Sequence, residues 1–527
     1  MTQTNIASRY VTEDFNKMFL SQMKERKILG ASLGIVQDDE IFTKGYGTIS
    51  PNGSSASAST LYDAASMSKS FTAAAIAVLI DDKENKHPDT KITWNTPVSH
   101  LMRDDFVLND PYLTEHVTIK DVLSHRTGIP GHDDASVSSL HANELGVNKG
   151  DDVRSTVRKL RHFPAVSPLR TKWIYNNFMY TAAAHLVATI AGQSFEEFLA
   201  EKFWKPLGMT NTYFCREGNA YSKVPADHVA TGNHWHKDNQ SWIDTPFTSG
   251  PEGIGAGEII SCVSDWALWL RAMMQPEKYL SHAVSKDTLS ECHKPLVFCD
   301  APQKEVPEGE DQYEYFYGMG WDVEYYRGVK VICHGGMVPG FTSFMCFIPS
   351  RKFGFVIFGN TNGIGEASDV IAHRLMDDCL GVPTEQRRDW AQIVRDRVKK
   401  EEDEEDEKDE DEDVYPDRPE VPLPMALKAE EYAGRYENPG YGVFVVQLKK
   451  GELFIDATDR TFPFEARLEH VSGEYFVMKV RSVPYEYDTA KIKAEFVVGA
   501  SGKVTELRLS FEEGEGAKPM SFVRAES

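Results

Sequence analysis

A serine hydroxyl and a lysine amine stand three residues apart at Ser66-Met67-Ser68-Lys69, the head of the run SMSKSFTAAAIAVLI. Serine needs a base before it can attack a carbonyl. A lysine one helical turn further on supplies one, because residues i and i+3 share a helix face. The segment Phe71 to Ile80 is rich in Ala, Ile and Leu, which favours a buried helix. Ser66 is therefore expected at a helix N-terminus, whose positive end favours a developing alkoxide. Burial and neighbouring positive groups can lower a lysine pKa until the amine accepts a proton near neutrality. A serine N-cap beside a solvated lysine would leave the same four letters, so the rest of the chain has to decide.

A base-activated serine also needs a second proton handler and donors for an oxyanion. Tyr175-Asn176-Asn177, in PLRTKWIYNNFMYTAAAHLVA, is a Y-x-N just ahead of a predicted helix. A tyrosine beside a lysine is expected to hold a lowered pKa, and the Asn177 amide to orient the lysine or a substrate carbonyl. His334-Gly335-Gly336 follows the strand VKVIC and precedes a Pro-Gly turn. Glycines there permit close approach of a ligand to the backbone, with the Met337 amide the one expected to face inward. Singly, each element has a plain structural explanation, a packed tyrosine or a turn between strands.

S-x-x-K, then Y-x-N about a hundred residues on, then H-G-G near the end of the domain resembles the penicillin-recognising serine hydrolases. The likeness is to the class C β-lactamase-like group, which includes DD-peptidases, D-aminopeptidases, family VIII carboxylesterases and fungal acyltransferases. The stretches TIKDVLSHRTGIPGH, KPLGMTNTYF, IISCVSDWALWL, YGMGW and HGGMVPGF resemble that group's connecting motifs, so the likeness covers roughly residues 10 to 380. It implies Ser66 as the acylated nucleophile, Lys69 and Tyr175 as the proton-transfer pair, and Asn177 as the substrate-orienting amide. The amides of Ser66 and Met337 would form the oxyanion hole, with His334, Gly335 and Gly336 at the substrate-binding strand. His334 occupies the first position of the family's K-T-G element, where β-lactamases place the lysine that grips a β-lactam carboxylate. No equivalent of the class A deacylating glutamate is found, so Tyr175 with Lys69 must activate alcohol and water alike. No metal or organic cofactor is implied.

The expected activity is hydrolysis of a small-molecule ester or amide, by a carboxylesterase or amide hydrolase. Alternatives are an acyltransferase of secondary metabolism, a D-amino-acid-specific peptidase or a β-lactamase. From a different class, the chain could be a catalytically silent binding module. The loop with His234, Trp235, His236 and Trp242 is expected on the leaving-group side, with Trp235 touching substrate. Three decoys are set aside. Gly30-Ala31-Ser32-Leu33-Gly34 matches a nucleophile elbow, but IVQDDEIFTKG continues it as strand and turn, not as a helix. His234-Trp235-His236-Lys237-Asp238 resembles a metal-lactamase motif but lacks the further ligands. Ser124 and His125 are adjacent on the backbone and read as architecture.

The elements that must position these groups fall into an α+β, β-lactamase/transpeptidase-like domain. Strands at both ends (ILGASLGIVQDDEIFTKGYG; then GMGWDVEYY, VKVICHGG, FTSFMCFIP and FGFVIFGNT) enclose helices such as MYTAAAHLVATIA and SDWALWLRAMM. One antiparallel sheet built from both ends, flanked by helices and joined by a helical region, is expected over residues 1–398. Residues 399–424 read as an acidic and Pro-rich linker. Residues 425–527, with short β-branched and aromatic runs between turn residues, read as a small lipocalin-like antiparallel barrel.

The formal charge of −23 is concentrated, since EEDEEDEKDEDED at 401–413 holds twelve acids and one lysine. The run reads as a solvated spacer or the exposed end of a helix. With no basic stripe, nucleic acid is not an expected partner. No apolar stretch is long enough for a membrane span, and the polar N-terminus does not read as a secretion signal. Seven dispersed cysteines fit a reducing, cytoplasmic setting. The partners expected are the ester, amide or peptide substrate, with a homo-oligomer left open.

Overall fold

The computed structural model describes residues 6–82, 91–139, 141–214, 224–237, 239–247, 250–299, 315–407, 414–483, 487–512 and 516–525. An eight-stranded antiparallel sheet is assembled from both ends of the first 380 residues. Across it lie Glu40–Gly47, Gly30–Gln37, Phe353–Gly359, Phe341–Ile348, Val329–Val338, Asp322–Tyr326, Phe316–Tyr317 and Val297–Phe298. Gly30-Ala31-Ser32-Leu33-Gly34 opens a strand paired on both sides, and Ser32 donates its hydroxyl hydrogen bond to the Ser57 carbonyl at 2.8 Å.

The helix Lys69–Asp81 runs through the interior, every residue from Lys69 to Leu79 buried. Its small side chains let neighbours approach closely, and Phe71 stacks on Trp269 at 4.0 Å between ring centroids. Ser66 lies one turn earlier than expected, in a 3₁₀ turn at Ala65–Ser68. Residues three apart still share a side there, so the spacing argument survives. A second helix, Asn177–Ala191, is capped by Asn176, whose side-chain oxygen accepts from the Met179 amide. Asn176 also donates to the carbonyls of Ile129 and Pro130. The middle residue of Y-x-N thus fixes Tyr175 and Asn177 on either side of a pinned cap.

Residues 434–524 close into an eight-stranded antiparallel barrel. Between the two bodies, the helix Trp390–Glu407 runs through the expected boundary at 398, because Arg397 pairs with Asp369 and Arg395 with Glu25 on the preceding fold. The acidic run to Glu407 is a helix end, and 408–413 lies outside the described residues. Beyond it the chain rests on the barrel, Tyr415 donating to the carbonyls of Phe476 and Ala494. Among the described residues no helix is long and apolar enough to cross a membrane.

Candidate active site

Ser66 opens onto a cleft bounded by Asp133, Asn177, Glu252 and Met337. Its hydroxyl is 3.0 Å from Lys69 Nζ and hydrogen-bonded to Tyr175. Lys69 is fully buried, and Nζ also lies 2.8 Å from Asn177 Oδ1 and 2.8 Å from the Ala256 carbonyl. The Asn177 amide has a defined orientation, because its Nδ2 donates to both Asp133 carboxylate oxygens at 3.1 and 3.2 Å. Oδ1 therefore faces the lysine. Both Asn177 Oδ1 and the Ala256 carbonyl can only accept, so a neutral amine gives them its two N–H groups and turns its lone pair to Ser66. Burial lowers the Lys69 pKa from 10.5 to about 7, with the nearby Asp133 carboxylate opposing the drop. An amine so placed is a base near neutral pH.

Tyr175 differs from the expectation of a lowered pKa. Burial raises it, outweighing its hydrogen bond with Ser66, and Tyr175 remains a phenol. Beneath it lies His125, ring centroids 4.2 Å apart. His125 Nδ1 accepts from the Asn176 amide at 3.1 Å, and burial holds the ring neutral. His125, read as architecture, is the floor on which Tyr175 rests.

The strand Val329–Val338 brings its glycines to the Ser66 turn. A Cβ on Gly336 would stand 2.5 Å from the Ala64 carbonyl and 3.0 Å from the Ser66 amide, so only glycine lets this strand approach. Gly335, by contrast, has room for a Cβ. Met337 follows, 67% exposed on the rim of the cleft. Ala65, just before Ser66, sits in the left-handed region at φ 46°, its amide held by Asp63 Oδ1 at 2.7 Å.

Two expected substrate contacts lie elsewhere. His334 is buried behind the cleft wall; its Nδ1–H donates to the Gly335 carbonyl, which leaves Nε2 to accept from the Tyr317 hydroxyl at 3.0 Å. Burial and Lys69 lower its pKa to about 3, so it offers no charge to a substrate. Trp235 sits on the hairpin Gly232–His236/Ser241–Thr245, edge-on to Trp242 at 4.9 Å and 5.1 Å from Lys27 Nζ. Neither residue lines the cleft. Asp238 of the histidine motif lies outside the described residues.

The barrel, for which sequence leaves open a cap over the cleft or a dimer contact, borders the site. Its turn at 458–463 reaches the cleft, where Thr461 and Phe462 line the same space as Ser66. The Thr461 amide donates to the Ser136 carbonyl and the Ser138 amide to the Asp459 carbonyl. Thr461 also donates its hydroxyl hydrogen bond to Glu252 Oε1 at 2.7 Å. Further along, His132 Nδ1 meets the Tyr441 hydroxyl at 2.7 Å, and the His132 amide donates to Glu512. Residue pairs some 200 to 400 positions apart leave no local signal; the adjacent acids of GHDDAS offered the nearest hint.

A family model described as β-lactamase matches residues 15–380, and one described as a domain of unknown function matches residues 418–524. The unguisins hydrolase ungD of Aspergillus violaceofuscus is 32% identical over 530 aligned positions, covering 97% of this chain and 90% of that protein. Protein flp of Staphylococcus aureus is 25% identical over 66% of this chain and 63% of its own length. Among solved structures, the octameric penicillin-binding protein homologue from Pyrococcus abyssi superposes with a TM-score of 0.58 at 23% identity, covering 97% of this chain and 99% of that one. SurE does so at 0.54 and 17% identity, with the same coverage. With its lysine-paired serine, its sheet built from both chain ends and a family match over most of its length, this chain belongs to the β-lactamase family of serine hydrolases.

Proposed function

We propose that the protein hydrolyses a small-molecule ester or amide through an acyl-enzyme on Ser66. The observation that carries this reading is the hydrogen-bond count at Lys69: two partners that can only accept leave the lone pair of a neutral amine for the serine. Lys69 takes the Ser66 proton as Oγ bonds to the substrate carbonyl carbon. The oxyanion is held by the amides of Ser66 and Met337, at the approach that Gly336 permits. Tyr175, kept a phenol by burial, gives its proton to the departing alcohol or amine and recovers one from Lys69. Water then attacks the acyl-enzyme by the same relay in reverse, and Ser66 is regenerated. A relative named as a hydrolase, similar over nearly the whole of both chains, supports water as the acceptor over transfer to another nucleophile.

The neutral, buried His334 fits an ester or amide better than a β-lactam carboxylate. A D-amino-acid peptidase remains the second reading, favoured by the acidic lining of the cleft. Residues 1–398 would form the catalytic domain and the barrel an accessory one. The six described cysteines are free thiols, which supports a reducing, cytoplasmic setting. Assembly into a homo-oligomer belongs to the same reading and is read by sedimentation.

A fluorophosphonate probe with intact-mass readout tests the chemistry. A single adduct on wild type and none on Ser66→Ala is expected; no adduct on folded wild type would make the protein a silent binding module. A panel of p-nitrophenyl esters, D- and L-aminoacyl anilides and a chromogenic cephalosporin then ranks the substrate classes.

A further inference from the structure

Among the described residues, the walls of the Ser66 cleft carry four carboxyl groups, from Asp63, Asp133, Glu252 and Glu258, and no Lys, Arg or His side chain. Three have evident tasks. Asp63 holds the Ala65 amide, Asp133 orients Asn177, and Glu258 accepts from the Gly250 amide at 2.9 Å. Like Asp63, whose Oδ2 also has no hydrogen-bond partner among the described residues, Glu252 keeps one oxygen to spare, and its other oxygen bonds to the barrel turn. It is 2% exposed, Oε1 accepts from Thr461 of the barrel turn, and Oε2 has no hydrogen-bond partner among the described residues.

A buried carboxyl oxygen with no partner is costly unless something that enters the site satisfies it. The cations nearby are committed. Lys159 is paired with Asp151 and donates to the Ala135 carbonyl, and Arg460 faces Asp459 and donates to the carbonyl of Tyr441. The carboxyl groups line the cleft without converging: among the described residues no three His, Cys, Asp or Glu side chains are grouped to hold a metal ion. A single charged donor group on an organic substrate suits the site better.

We propose that the barrel-side end of the cleft is a subsite for a substrate ammonium group, received by Glu252 and framed by Thr461. The subsite rests on the reading of Ser66 as the acylated residue and narrows its substrate class to amino-bearing esters and amides. Burial raises the Glu252 carboxyl to about 7, and an arriving ammonium returns it to the charged form, so the ion pair exists only with substrate in place. The barrel thereby contributes to selection through one hydroxyl and the Phe462 wall beside it.

The test uses the full chain with alanine p-nitroanilides of both configurations and their N-acetyl counterparts. Wild type should prefer the free amine of at least one enantiomer by about 10- to 100-fold in kcat/KM, the range of a hydrogen bond to a charged group. Glu252→Gln keeps an oxygen for Thr461 and removes the charge; it should erase that preference while changing the N-acetyl rate less than about threefold. Equal or better hydrolysis of the N-acetyl substrates by wild type overturns the subsite, as does an equal loss for both classes in Glu252→Gln. Calorimetric binding of the free-amine anilides to Ser66→Ala, and its loss in Ser66→Ala/Glu252→Gln, separates this inference from the acyl-enzyme reading. Equal binding by the two variants refutes the subsite even if Ser66 proves catalytic, and selective binding sustains it even if Ser66 proves silent.

Discussion

Replacing Lys69 with methionine should cost activity and change how stability depends on pH. The lysine amine falls from 10.5 to about 7 on folding. Between those values the unfolded chain holds a proton that the folded chain has released, so stability gained from this group rises with pH across roughly 7 to 10.5. The penalty is full below pH 7 and gone above the unfolded value. With these two pKa values it is about 4 kcal/mol at pH 7 and about 2 kcal/mol at pH 9. Lys69→Met removes the titration and nearly preserves the volume. It also removes the contacts to Asn177 and Ala256, but that loss does not vary with pH over this range. Denaturant unfolding of both proteins at pH 7, 8 and 9 should therefore show the wild type gaining about 2 kcal/mol on the variant. In parallel, fluorophosphonate labelling of wild type should rise through an inflection near pH 7, and the variant should label about 10²- to 10⁴-fold more slowly. A stability difference flat within about 0.5 kcal/mol from pH 7 to 9 would mean that the lysine keeps its proton when folded, and the general-base reasoning would fall.

Asp133→Asn removes the carboxylate that opposes the fall of the Lys69 pKa while keeping an acceptor for Asn177, so the labelling inflection should move below 7, by up to about one unit; an inflection moving upward would show that the charge acts otherwise. Gly336→Ala forces a methyl against the Ala64 carbonyl and the Ser66 amide, and should destabilise by about 1–3 kcal/mol and abolish most labelling; wild-type labelling rates in this variant would remove the strand from the site. Phe462→Ala opens the barrel side of the cleft, so the ratio of kcat/KM for p-nitrophenyl benzoate over acetate should rise several-fold. An unchanged ratio would mean that the barrel turn does not bound the acyl pocket.

What could be read from the sequence is what covalent spacing fixes. Ser66 and Lys69 meet because three residues on a turn must share a side, whether that turn is 3₁₀ or α. Tyr175 and Asn177 flank a cap whose residue type announces it. The sheet and the barrel were legible from periodicity and turn residues. Burial was not. The family resemblance places His334 at the substrate-binding strand, but Tyr317, seventeen residues away, takes its free nitrogen. The Tyr175 pKa was read from a charge alone, and the desolvation that dominates it comes from side chains such as His125 that no local pattern couples to it. Trp235 is expected at the leaving-group side as part of a loop, whereas it sits on a hairpin whose Asn233 amide donates to the carbonyls of Gly340 and Asn360. The linker was marked too early because a charge run looks the same on a free spacer and on a helix end tied down by Arg395 and Arg397.

The site's central property, a lysine that can accept a proton, follows from arithmetic that spans the whole fold. An exposed amine would keep its proton, so Lys69 must be buried, and a buried amine with three acceptors would be drawn back to the ammonium form. Ser66 is the one partner of the three that can donate, which is why the neutral amine fits. Asn177 presents an acceptor to Lys69 because Asp133 claims its amide protons. Asp133, in turn, follows His132, which the barrel holds through Tyr441 and Glu512. The barrel is therefore joined to the base through hydrogen bonds on either side of the His132–Asp133 peptide link, and to the cleft by Thr461. A substitution in the barrel that left the cleft's shape intact would still reach the chemistry through Asp133.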